Sequence, residues 1–178
     1  MNRNFRWNLI SLTFLCSLLC FPLQAELQPY TIYLVRHAEK VDNPQSGKDP
    51  DLTDCGQQRA SYFATWLQKT ATKYLTIYST DYRRTRHTAA ASAGLFNTAI
   101  ESYNPRDLAG FAQQLKRQGE DALVVGHSNT TPELAALLAS QPVPAIEHHE
   151  FDRILVVQIS DDGAELTSLR MDFVCQPI

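Results

Sequence analysis

Four short apolar runs, each followed by a helical repeat, constrain this chain more than any other feature it has. Residues 31–35 read Thr-Ile-Tyr-Leu-Val, the β-branched and apolar pattern of a strand buried on both faces. Residues 75–79, 98–102 and 122–125 supply three more strands. Between them lie amphipathic segments. Thr53 caps the first helix, where Ala60, Phe63, Ala64 and Leu67 recur at i, i+3, i+4 and i+7 and the repeat runs to about Thr70. The second, rich in alanine, covers residues 82–96. Pro105 and Asp107 open the third, with Leu108, Phe111, Ala112 and Leu115 on one face and Gly119 at its end. Thr131 caps the fourth, with Pro132 in its first position and Leu134, Leu137 and Leu138 on its buried side. Residues 153–159 and 164–173 then flank Asp161-Asp162-Gly163 as a β-hairpin. This order predicts one α/β domain over residues 26–178. It is a three-layer sandwich: a mostly parallel sheet, flanked by helices on both faces, with a C-terminal β-hairpin.

Residues 1–25 read as an address rather than structure. Arg3 and Arg6 precede an apolar run over residues 9–21 and a small residue at Ala25, the pattern of a cleaved secretory signal peptide. The run has 13 residues, short of the roughly 20 that a spanning helix needs, so a stable membrane anchor is not expected. A lipoprotein signal wants a small residue before its cysteine, and Cys16 and Cys20 follow Leu15 and Leu19. The expected destination is the periplasm or the medium. Cleavage leaves Cys55 and Cys175, either paired or as two free thiols, in a compartment where disulfides persist. Net charge is −3, and −5 without Arg3 and Arg6. No basic surplus exists for binding a nucleic-acid backbone.

In a doubly covered parallel sheet the ligand lies beyond the carboxyl ends of the strands. Three of those ends carry matching residues. Arg36, His37, Ala38 and Glu39 follow the first strand; Arg83, Arg84, Thr85 and Arg86 follow the second; Gly126, His127, Ser128 and Asn129 follow the fourth. Two histidines, several arginines and a helix start converging on one crevice suit a phosphoryl group.

The residues also resemble a known family. Leu34-Val35-Arg36-His37-Ala38-Glu39-Lys40 is similar to the Arg-His signature of the histidine phosphatase superfamily, whose fold is phosphoglycerate-mutase-like. Leu52-Thr53, with Gly56 and Ala60, resembles the segment that starts its first helix. The run from Tyr78 to Ala89 resembles its second-arginine segment, and counting back from Thr88-Ala89 places the phosphate arginine at Arg84 rather than Arg83. Val125-Gly126-His127-Ser128 resembles the segment carrying its second histidine.

The resemblance implies a phosphatase that hydrolyses phosphomonoesters through a phosphohistidine on His37, with a small phosphorylated substrate. It implies that Arg36 and Arg84 hold the phosphoryl oxygens, that His127 donates to them, best as an imidazolium, and that Asn129 adds a hydrogen bond. Such a pocket calls for no metal and no cofactor. The proton donor stays open among Glu101, Asp107, Glu39 and none, with Asp42 a more remote candidate. Two other readings stay open: a phosphomutase, and a non-catalytic phosphate-binding module on the same fold. Outside the motifs, His87 and Tyr82 are candidates for the pocket rim. Tyr103 reads as packing or rim, and Glu147-His148-His149-Glu150 as a run with little prospect of binding metal.

Overall fold

A computed structural model, describing residues 28–71 and 74–176, folds the alternating elements around one six-stranded sheet. The expected leader, residues 1–25, lies outside the described residues. In chain order the elements are β1 (Tyr30–Arg36), α1 (Asp54–Thr70), β2 (Thr76–Ser79), α2 (Arg83–Phe96) and β3 (Ile100–Ser102). There follow α3 (Leu108–Gln118), β4 (Ala122–Gly126), α4 (Thr130–Ala139), β5 (Arg153–Ser160) and β6 (Gly163–Arg170). The sheet order is β3-β2-β4-β1-β5-β6. The first four strands run parallel, and β5 and β6 form the antiparallel hairpin beside β1.

Alternation along β1 divides the core between the two sheet faces. Ile32 and Leu34 pack with Phe111 and Leu115 of α3 and Leu134 and Leu138 of α4. Tyr33 and Val35 pack with Phe63 and Leu67 of α1 and Ala89 of α2. The expected helix starts at Thr53 and Asp107 are present: the Thr53 hydroxyl accepts from Gly56 N at 3.0 Å and the Asp107 carboxylate from Gly110 N at 2.9 Å.

Several details differ from expectation. α4 begins two residues earlier than the Thr131 cap requires, with Asn129 at the N-cap. Thr131 is inside the helix and donates to Val35 O at 3.3 Å, tying α4 to β1. Pro132 is therefore the third helical residue, still within the first turn, where its missing N–H leaves no bond unmade. Leu137 is 38% exposed, because the face that meets the sheet is Leu134, Ala135 and Leu138. The last strand stops at Arg170, short of residue 173, because Asp152 draws the chain off the sheet: it accepts from Arg170 Nη1 at 2.7 Å and, through its carbonyl, from Met171 N at 2.8 Å. The tail then crosses to α1. Phe173 lies against Tyr62 and beneath the Arg59 guanidinium, and Cys175 is joined to Cys55 by a disulfide.

Candidate active site

β1 and β4 are adjacent and in register, with Arg36 opposite Gly126, so the residues leaving them emerge side by side. His37 and His127 stand with ring centroids 5.6 Å apart, and His37 N donates to Gly126 O at 2.9 Å. Glycine is required at 126: a Cβ there would sit 2.8 Å from the Tyr103 hydroxyl and 2.9 Å from those of Thr130 and Thr131. Gly56 answers a similar demand on α1. A Cβ there would come within 2.2 Å of Glu39 O, the carbonyl that also accepts from Thr53 N at 2.9 Å. From α2, the Thr88 hydroxyl accepts from Ala38 N at 3.0 Å. The segment after His37 is thus held from two helices by the motif residues themselves.

His37 is buried, and its Nδ1 lies 2.8 Å from Ala38 O. A carbonyl can only accept, so the proton sits on Nδ1 and the lone pair on Nε2. Burial, reinforced by the charges of Arg36, His127 and Arg84, pushes the pKa of His37 down to about 3. Burial and the charges of Arg84 and Arg36 likewise push His127 down to about 4. His127 is therefore a neutral ring in the ligand-free site. Its Nε2 lies 2.9 Å from the Thr80 hydroxyl, which meets that of Thr85 at 2.9 Å.

Both lowered values make stability depend on pH. The unfolded chain takes a proton on each histidine near 6.5, whereas the folded chain refuses it until about 4 or 3. The contribution is complete above about pH 6.5 and is lost as pH falls from there toward 3. Thermal melts of the ligand-free protein are expected to fall steadily between pH 6.5 and 4, and to fall less in His37→Gln. Equal slopes for the two proteins would contradict the assignment.

Arg36 is held by a segment in which sequence reading saw only a metal possibility. Its Nη1 is 3.0, 2.9 and 3.0 Å from the carbonyls of Glu147, His148 and Glu150, and its guanidinium carbon lies 4.2 Å from the Phe151 ring centroid. The buried Glu150 carboxylate folds that loop by accepting from Glu147 N, Arg153 and Arg170. Arg36 Nε is buried and has no partner, an unsatisfied donor of the kind that folding otherwise avoids. Arg84 is held by Asp49, 3.3 Å from its Nη1, and stacks on Tyr82, whose ring stands edge-on to His127 at 5.1 Å. Arg83 turns outward to Asp51, in keeping with the motif count.

These side chains line a cavity of about 470 Å³. Arg36, His37, Arg84 and His127 meet in it, and Ser128 and Asn129 enter from the start of α4. Asn129 occupies the N-cap position without spending its side chain on the cap. Lys40, Arg106 and His148 complete the charged lining.

None of the four candidate acids lines the cavity. Glu39 is paired with Arg59, whose Nε lies 2.9 Å from both carboxylate oxygens, and Asp107 caps α3. Glu101 is exposed on β3, and Asp42 is a surface partner of Lys40. From the segment after β3, Pro105 and Arg106 enter instead. Tyr82 is a lining residue, His87 is exposed beside Asp51, and Tyr103 stacks on Phe111 with centroids 4.4 Å apart. Among the described residues, the cluster close enough to hold a metal is Glu39, Cys55 and Cys175, and its two sulfurs are bonded to each other.

Solved structures share the fold. One reported as the phosphohistidine phosphatase SixA from Nakamurella multipartitia is 19% identical, with a TM-score of 0.63 over 83% of this chain and 99% of that one. The protein histidine phosphatase SixA complexed with tungstate is 16% identical, with a TM-score of 0.65 over 79% and 96%. A mycobacterial glucosyl-3-phosphoglycerate phosphatase is 13% identical, with a TM-score of 0.62 over 83% and 100%. No curated protein matches the chain. Residues 32–104 match the family model of the histidine phosphatase superfamily (branch 1). That match reaches from the first strand past the second arginine, and the chain shares its fold with these phosphatases along most of its length.

Proposed function

We propose that this chain is an exported phosphatase that hydrolyses small phosphomonoesters through a phosphohistidine on His37, without a metal. The observation that carries this reading is the bond between His37 Nδ1 and Ala38 O in a buried ring whose pKa is lowered to about 3. It leaves Nε2 unprotonated at neutral pH, which is what an in-line attack on phosphorus needs. The attack forms a P–N bond and breaks the P–O bond to the leaving group. Water then attacks phosphorus, the P–N bond breaks, and inorganic phosphate departs. Arg36 and Arg84 hold the phosphoryl oxygens, and a phosphoryl oxygen is the acceptor that Arg36 Nε lacks. His127 and Asn129 add donors, and an arriving dianion favours a proton on His127, opposing the two arginines that repel it when the site is empty. The Cys55–Cys175 disulfide supports export, since such bonds persist in oxidising compartments.

With no carboxylate in the cavity lining, the leaving group departs with little help. A positioned general acid contributes roughly 10²–10⁴-fold. Phosphate release in the presence of chelator is therefore expected to be fast for aryl esters with acidic phenols, and about 10²–10⁴-fold slower for alkyl esters. Equal rates for both would mean that an acid is supplied from elsewhere. No release from any ester by folded protein would favour a phosphate-binding module.

A further inference from the structure

A phosphoryl group is much smaller than a cavity of about 470 Å³, and Arg36 and Arg84 already match its two negative charges. The lining holds two further basic side chains, Lys40 and Arg106, in a protein whose net charge is −3. No carboxylate in the lining offsets them. Lys40 comes from the segment after β1 and Arg106 from the segment between β3 and α3, so two separate loops deliver charge to the same space. The Arg106 guanidinium has no hydrogen-bond or ion-pair partner among the described residues. Lys40 reaches Asp42 at 3.3 Å, but that carboxylate is 81% exposed, and a pair of this kind holds a side chain only weakly. His148 joins them on the wall, its main chain already fixed by donation from Arg36. Clustered cations of one sign in a concave site concentrate anions there.

We propose that Lys40 and Arg106, with His148, form a second anion subsite, so that the substrate carries a phosphate or carboxylate beyond the phosphoryl group that is transferred. This rests on the phosphatase reading for the first phosphoryl position. The subsite rejects neutral-bodied esters by leaving its cations unpaired, and so supplies selectivity.

Non-hydrolysable probes separate this inference from the catalytic one. Calorimetry on the native protein would compare phenylphosphonate with 4-carboxyphenylphosphonate and 1,4-phenylenebisphosphonate; the last two distinguish a carboxylate from a phosphate as the second group. At least one of them is expected to bind about tenfold or more tighter than phenylphosphonate at low salt. The advantage should shrink in 0.5 M salt and in the double variant Lys40→Ala/Arg106→Ala. Equal affinities for all three probes would overturn the subsite, as would an advantage that survives the double substitution. Phosphate release from phenyl phosphate is measured alongside. Release without probe preference removes the subsite alone, whereas probe preference without release removes the phosphatase reading and leaves the subsite standing.

Discussion

His37→Ala is expected to lower phosphate release from an aryl phosphate by about 10⁴-fold or more. The ring supplies the only nucleophile in this scheme, and no neighbour can replace it. His127 presents its own imidazole 5.6 Å away, but its Nε2 is engaged with Thr80. The fold should survive, because the backbone bond from residue 37 to Gly126 does not involve the side chain. Rapid quenching of the native protein with labelled substrate should trap an acid-labile, base-stable phosphoenzyme, and the variant should show none. If His37→Ala keeps more than a few per cent of the native rate, attack by His37 is wrong, whatever the other residues do.

Arg36 gives the second large effect, and here two substitutions have different outcomes. Arg36→Ala removes the partner of the Glu147, His148 and Glu150 carbonyls and a charge on the phosphoryl group together. Charge stabilisation by an arginine in phosphoryl transfer is worth about 10³–10⁵-fold, and a buried acceptor left without a donor costs about 1–3 kcal/mol. Arg36→Ala should therefore lose both turnover and thermal stability. Arg36→Lys can offer its ammonium to the same carbonyls, but has nothing in place of Nε. It should recover most of the stability and little of the activity, seen by comparing melting temperature with kcat/KM. If lysine restored the rate to within tenfold, the forked donor would not be what the reaction uses.

What could be read from the residues alone was whatever is decided locally. Thr53 and Asp107 announce helix starts because capping is a matter of three or four residues. Arg36, His37, Arg84 and His127 announce a crevice because they follow parallel strands, and the in-register pairing of β1 with β4 brings the two histidines together. Tertiary partners could not be read. The loop from Glu147 to Phe151 grips Arg36 through backbone carbonyls, which leave no mark on side-chain pattern. The hold of Asp49 on Arg84 depends on how the loop after β1 returns to α2. The neutral state of His127 depends on the depth at which two arginines surround it. Leu137 was misplaced because helical spacing admits two adjoining faces, and only the packing against the sheet chooses between them. The fate of Glu39 turned on Arg59, 20 residues further along, which takes its carboxylate out of contention as an acid.

The disulfide separates two cysteines by 120 residues, which includes most of the domain. Covalently, the protein is a ring, with β1 and the loop after it on the arm that leads into it, rather than a string. Every strand from β2 to β6 and every helix after the first turn of α1 lies within the ring. A ring of that size restricts the unfolded chain by about 5 kcal/mol in the loop-entropy picture. It also changes what a protease can do. One cut within the ring opens it into a single linear molecule with all its pieces still attached, and only a second cut, or a reductant, lets a fragment leave.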